Sequence, residues 1–508
     1  MTRTLTGSQN SGGAGAAYLM VFIAAATLYI ATCAPGPVWQ DSGIIQYRVL
    51  NNDIQGHLGL ALSHPLYYGI CIATKYIPLG DPAYKVNLTN AIISAFAVAN
   101  LYLLLRLLLN NGAAAFIGAL SLALSHTFWR HAAIPETYNL TVALLLLEMI
   151  VLLNYAYSSH IGHLYLLALI NGLAISNHML ASIPLLCYIV LVLVLLIRAR
   201  ISLKDLLVMV VFWMAGAALF EYLFIKHLLD TNSIQATLSS AAFGDRWKDD
   251  VLNTYISIRI VKENLMWFVL NYPTPNILLV LIGLANVFRV SPKRWFGAII
   301  VLLTLMFLAF AFRYSIVDRY AFFIPFYCMI SILIAVGIEP FLRGRRKKAP
   351  VIVATLFCLL TVPTYIIAPD VARYYGIASR ARTIPYRDDY TYFLRPWQTN
   401  YRGAEKFASE ALDSVESDAV ILGDTTTAPP LLYVQQAKGK GKNVRIVSKI
   451  VNDPNTPEEM ETELMDKAAK GLVYVVTPKK GYFPAFIFDK CDFESAGVLH
   501  RAVVKETE

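Results

Sequence analysis

The run Trp39-Gln40-Asp41-Ser42-Gly43 places an acid a few residues beyond the first stretch of the chain that is apolar enough to cross a membrane. A carboxylate held at an outer membrane face can serve as general base for a substrate that arrives from water while its partner stays in lipid. The same residues also fit a helix start, with Asp41 or Ser42 as cap. Further on come Ser63-His64-Pro65-Leu66, Asp81-Pro82-Ala83-Tyr84, Thr127-Phe128-Trp129-Arg130-His131 and Pro135-Glu136-Thr137-Tyr138. Asp41, Glu136 and His64 together offer an oxygen and nitrogen donor set that a divalent ion could use. Their spacing does not demand one, and no metal or other cofactor is expected. Positive groups near the ends of apolar segments are Arg130, His131, Arg259, Lys262, Arg313 and the run Asp318-Arg319-Tyr320. Each is a candidate for holding an anionic substrate, weighed against plain snorkelling at the membrane boundary. In the last run Asp318 is placed to orient the Arg319 guanidinium, and Tyr320 opens an aromatic segment. His178, at a tight turn, either touches ligand or caps the turn.

The elements that position these residues follow from composition. Of 508 residues, 57% are hydrophobic and 15% charged, and the mean hydropathy is +0.53, so a bilayer must be the solvent for much of the chain. Apolar segments near 16–34, 86–109, 113–131, 138–157, 162–178, 179–198, 205–225, 274–290, 295–313, 320–342 and 350–368 predict about eleven transmembrane helices. The clusters Arg198/Arg200/Lys204, Arg289/Lys293/Arg294 and Arg343/Arg345/Arg346/Lys347/Lys348 then share one side. The positive-inside rule makes that side cytoplasmic, with the N-terminus inside and the C-terminus outside. The net charge of +9 is accounted for by these loops, which argues against a nucleic-acid partner.

Three outward segments are too long to be connectors: 35–85, 226–273 and the chain after 369. In the first, Ile44–Leu60 and Pro65–Leu79 read as helices lying in or dipping into the membrane face. Glu148 and Glu221 fall inside spans, where they read as structural polar partners. Residues 1–15 read as a disordered cytoplasmic N-terminus and 16–368 as the membrane domain. After 369 the apolar runs Ala419–Leu422, Val444–Val447 and Leu472–Val476, with helical pattern at Ala404–Leu412 and Pro457–Lys470, predict a small extracytoplasmic α/β domain. Gly423-Asp424-Thr425 reads as a strand-to-helix connection in preference to an anion-binding turn. The six cysteines are scattered, without metal-ligand spacing.

The ordered set Asp41-Ser42-Gly43, His64-Pro65, Trp129 and Glu136-Thr137-Tyr138 resembles the GT-C glycosyltransferase superfamily, and within it the protein O-mannosyltransferases, over about residues 16–190. Gln40 stands where those proteins usually carry glycine, Leu66 where a second proline is common, and Ile44 where glutamate is frequent. The resemblance implies a GT-C-like helical membrane fold and an inverting transfer. In that transfer Asp41 deprotonates an acceptor hydroxyl, the oxygen attacks the anomeric carbon, and polyprenyl phosphate leaves. It further implies a mannose-like hexose on a polyprenyl-phosphate donor, an acceptor that is protein, lipid or glycan, and Glu136 as a second loop acid that holds the acceptor, supports Asp41 or, in some branches, helps bind a divalent metal. A multi-span lipid or polysaccharide transporter, or a scaffold built on the C-terminal domain, also fits many spans. Charges gathered at one membrane face favour the enzyme.

Overall fold

The computed structural model describes residues 11–316, 318–343, 348–377, 382–448 and 457–505. Its first helices are α1 Ser11–Thr32, α2 Gln40–Leu50, α3 Pro65–Lys75, α4 Pro82–Leu109, α5 Gly112–Ala123, α6 His126–Ala133, α7 Tyr138–Ser158 and α8 Gly162–Asn177. Then come α9 Ser182–Ile197, α10 Leu203–Thr231, α11 Ile234–Phe243, α12 Lys248–Leu252, α13 Ile258–Asn271, α14 Leu279–Val290, α15 Arg294–Arg313 and α16 Ile324–Ile338. The last are α17 Lys348–Leu359, α18 Thr361–Tyr374, α19 Asp389–Leu394, α20 Gly403–Asp413, α21 Ala428–Lys438, α22 Pro457–Ala469 and α23 Ala485–Lys490.

Among the described residues eight helical segments are long and apolar enough to span a membrane, or ten if two bent pairs each count as one. Each of the eleven expected spans is helical, with three departures. The segment 113–131 breaks into α5 and α6 at an angle of 65°, and α14 meets α13 at 107°. α8 has 16 residues, about 24 Å at 1.5 Å per residue, short of the hydrocarbon thickness. Of the N-terminal stretch 1–15 expected to be disordered, residues 11–15 belong to α1, and 1–10 lie outside the described residues. The expected helix Ile44–Leu60 ends at Leu50, where Asn52 turns left-handed with φ 57°. The boundary expected at 369 falls inside α18, which continues to Tyr374. Arg345, Arg346 and Lys347 of the third basic cluster lie outside the described residues.

Local chemistry sets the helix ends. Asp81 caps α4 by accepting from the Ala83 N–H at 2.8 Å, with Pro82 in the first turn. Asn110 ends α4 in a left-handed conformation, φ 50°, and Asn111 caps α5. α16 is buried along its whole length and forms the axis of the bundle. Gly337 on α16 and Gly283 on α14 let these helices touch backbone to backbone, since a Cβ on either would run into the carbonyl of Leu279 or Leu333. Glu148 is fully buried and takes hydrogen bonds from Asn171 (2.9 Å) and Tyr188 (3.0 Å), tying α7 to α8 and α9. Glu221 has no such partner among the described residues.

The C-terminal region carries a five-stranded sheet in the order β2-β1-β3-β5-β4, with β1 Val420–Leu422, β2 Arg445–Val447, β3 Val473–Val475, β4 Cys491–Ala496 and β5 Leu499–Val504. The three expected strands pair in parallel, and β5 and β4 add an antiparallel hairpin that the sequence reading missed. α20 and α21 cover one face and α22 the other. The first of these cores also contains Trp39, Ile44 and Ala83 from the membrane domain, so the C-terminal domain shares its core with the segment between α1 and α4.

Candidate functional site

The residues around Asp41 are held by buried amides. Gln46 accepts from the Val38 N–H (3.0 Å) and donates to Asn87 (2.8 Å), which in turn donates to the Ala34 (2.7 Å) and Gly36 (3.0 Å) carbonyls. Asn90, one turn further along α4, donates to the carbonyls of Ile134 (2.7 Å) and His131. Two asparagines of one span thus fix the approach to α2 and the exit from α6. Trp39 is buried, donates to the Tyr401 hydroxyl at 2.7 Å and packs on Phe407. Gly43 is needed because a Cβ there would collide with the Val38 carbonyl and with Pro429 of α21.

These constraints frame a pocket lined by Trp39–Ser42 at the start of α2, Arg130 and His131 of α6, Ile134, Glu136 and Tyr138 before and into α7, Asp318, Tyr320 and Ala321, and Tyr392 of α19. Asp41 is exposed to the pocket yet enclosed by its walls. That enclosure first, and the Asp318 carboxylate second, push its carboxyl above the ordinary range. Glu136 is raised as well, by burial and then by Asp41, although Ser42 donates to its Oε1 at 3.0 Å. A carboxylate with a raised pKa is a stronger base once ionised.

Arg130 supplies the pocket's positive charge. It is 1% exposed, donates to the Tyr392 carbonyl, and its guanidinium lies 4.5 Å from the Tyr392 ring centre. Its Nε is buried with no hydrogen-bond partner among the described residues. An orphaned charged donor at the wall of a pocket is suited to an anionic ligand. His131 donates from Nδ1 to the Thr127 carbonyl (2.7 Å), which leaves Nε2 of the neutral ring as an acceptor.

Of the expected site residues, Asp41, Arg130, His131, Glu136, Asp318 and Tyr320 therefore line one pocket. His64 and His178 pair with each other, ring centres 4.8 Å apart, behind Tyr138. His64 Nδ1 donates to the Asn177 carbonyl (2.7 Å), and His178 Nδ1 accepts from the Leu180 N–H (3.1 Å), so His178 does cap its turn. Arg319 departs from expectation. Its buried guanidinium pairs with Glu263 and Asn264 of α13 instead of lining the pocket, and it is Asp318 and Tyr320 on either side that do so. The reason is the one-turn 3₁₀ segment from Arg319, which sends successive side chains in different directions. Arg259 is exposed and pairs with Glu263, Lys262 is exposed, and Arg313 caps the Asn253 carbonyl at 2.9 Å. Among the described residues, no group of three His, Cys, Asp or Glu side chains is arranged to hold a metal, and His64 stays with Asn177, apart from Asp41 and Glu136. Tyr392 had no sequence signal, since about 350 residues separate it from Asp41. Asp424 makes the strand-to-helix connection, accepting from Thr427 and pairing with Arg382 at 2.5 Å.

The architecture is similar along its whole length to ArnT from Cupriavidus metallidurans, solved bound to undecaprenyl phosphate: 97% of this chain and 98% of that one align with a TM-score of 0.58 at 12% identity. The fold is that of the GT-C glycosyltransferases. Archaeal oligosaccharyltransferase AglB from Archaeoglobus fulgidus, solved with an inhibitory peptide and a dolichol phosphate, aligns over 90% of this chain and 69% of its own, with TM-score 0.46 and 13% identity. Residues 62–204 match the family described as the N-terminal domain of protein O-mannosyl-transferase TMEM260. That match takes in His64, Arg130, His131, Glu136 and His178 and upholds the resemblance read from these motifs, while Asp41 precedes it. Curated proteins give no match.

Proposed function

We propose that this chain is an inverting glycosyltransferase that moves a mannose-like hexose from a polyprenyl-phosphate donor to an acceptor hydroxyl on the extracytoplasmic side. The observation that carries the reading is a pocket in which a raised, unbonded acid, Asp41, faces a buried guanidinium, Arg130, whose Nε has no partner among the described residues. Asp41 takes the acceptor proton, the acceptor oxygen forms a bond to the anomeric carbon, and the bond from that carbon to the phosphate oxygen breaks. Polyprenyl phosphate leaves as a stabilised anion, so the site needs positive charge and donors more than an acid. Arg130 meets that need. Glu136, held by Ser42, and Asp318 accept hydrogen bonds from sugar hydroxyls.

The polyprenyl phosphate bound by ArnT and the mannosyltransferase family matched over residues 62–204 support this donor class. A transporter would place its charges at mid-bilayer, whereas these gather beside the loops that carry the α/β domain. The proposal puts the N-terminus in the cytoplasm and the α/β domain outside, a placement supported by the basic residues between the apolar segments. The test is transfer from polyprenyl-phosphate mannose by the protein in nanodiscs. Wild type should release mannose to an acceptor or to water, and an enzyme that leaves this donor intact would end the reading.

A further inference from the structure

Gln40 occupies a backbone position that resists its own side chain. Its φ is +59°, in the left-handed region that costs an L-residue other than glycine about 1 kcal/mol or more. Several residues elsewhere share this feature, but among the described residues Gln40 is the only non-glycine one with positive φ that lines the pocket. The conformation is enforced from both sides. Trp39 is locked by Tyr401, and the Gln40 N–H donates to the Thr426 carbonyl at 3.3 Å, from the loop that follows β1. Glycine would accept this geometry without strain. A long polar side chain is kept there instead, half-buried, and its carboxamide makes no hydrogen bond among the described residues.

We infer that Gln40 is a specificity-determining residue that reads the acceptor, pairing its carboxamide with the peptide unit beside an acceptor Ser or Thr. The inference rests on the proposed transfer reaction. A general base touches the acceptor oxygen, not the donor, so the side chain next to Asp41 flanks whatever presents that hydroxyl. Gln40 is also tied to the α/β domain through Thr426, whereas the cation assigned to the donor phosphate, Arg130, belongs to α6. A primary amide offers an N–H donor and a C=O acceptor in one plane, and so does a peptide unit, which lets the two pair at once. Glycine at this position would leave the mouth of the pocket without that contact.

The test uses Gln40→Gly and Gln40→Ala in the full-length protein in nanodiscs, with polyprenyl-phosphate mannose as donor and a synthetic library of Thr-bearing peptides as acceptor. Both variants should raise the apparent KM for the peptide pool by about 3- to 10-fold, the loss expected for a neutral hydrogen bond. The donor KM should move less than about twofold. Gly relieves the backbone and Ala does not, so a KM change seen in only one of them assigns the effect to strain and overturns the inference. An unchanged peptide KM, or a shift in donor KM instead, also overturns it. If wild type glycosylates a glycolipid pool and no peptide, the peptide class is wrong. If wild type releases no mannose at all, it is the transferase reading that fails.

Discussion

Replacing Asp41 with Asn separates chemistry from stability more cleanly than any other change at this site. The Asp41 carboxylate makes no hydrogen bond or ion pair among the described residues, and its surroundings raise its pKa instead of compensating its charge. Asn keeps the volume, so no packing is lost. Loss of a negative charge in the first turn of α2 forfeits about 0.3–1 kcal/mol of helix-dipole interaction. Against that, Asn removes a charge that the enclosure of the site, and next the Asp318 carboxylate, make costly to hold. The variant should therefore melt at or above the wild-type temperature. Activity should respond very differently, because Asn cannot take the proton. General-base catalysis contributes about 10²–10⁴-fold, or roughly 2.7–5.5 kcal/mol at 1.36 kcal/mol per decade. The assay is mannose transfer from polyprenyl-phosphate mannose in nanodiscs, with a thermal melt of the same sample. A variant that melts normally and transfers within about fivefold of wild type would remove Asp41 as the base.

In wild type, activity should fall as pH drops and Asp41 protonates, with a midpoint above the ordinary carboxylate value near 4. Asp318→Asn should move that midpoint down, because removing a neighbouring negative charge makes Asp41 easier to ionise, and identical pH–rate midpoints would refute the coupling. Arg130→Gln should lower transfer by about 10²–10³-fold and weaken donor binding. Arg319→Gln should leave donor affinity intact and cost roughly 1.5–3 kcal/mol of stability through the lost Glu263 and Asn264 contacts; equal donor-affinity losses in both variants would contradict the assignment. Tyr433→Phe should loosen the α/β domain, because the Tyr433 hydroxyl accepts from the Ala83 N–H (2.8 Å) and donates to Asp81 (2.6 Å). The expected cost is about 1–3 kcal/mol, read as earlier proteolytic release of the domain on heating, and an unchanged cleavage profile would show that the domain is held elsewhere.

Some of this was legible without coordinates because it depends on near neighbours in the chain. The spans follow from runs of about 20 apolar residues, and breaks such as Asn110-Asn111 follow from side chains that cap their own backbone. The three parallel strands announced themselves as short apolar runs between helical patterns. Strands β4 and β5 did not, since Glu494, Ser495, His500 and Arg501 interrupt any apolar pattern and the hairpin is sustained by pairing with β3. The bend between α5 and α6 was hidden for a related reason, since hydropathy reports a solvent preference and is blind to direction.

The sequence by itself determined that the chain lives in a bilayer, that it carries an acid after its first span and another before α7, and that basic residues cluster near the helix ends. Which of those charges meet was decided only by the tertiary structure. Arg319 and Arg130 look alike in sequence, each beside an aromatic residue at the end of an apolar segment. Burial against α13 commits one to Glu263, while the backbone of α19, arriving from far along the chain, leaves the other with an unpartnered Nε at the pocket wall. A charge removed from water must find its partner in space, and residues 130 and 392 become neighbours only when the C-terminal segment folds back over the bundle.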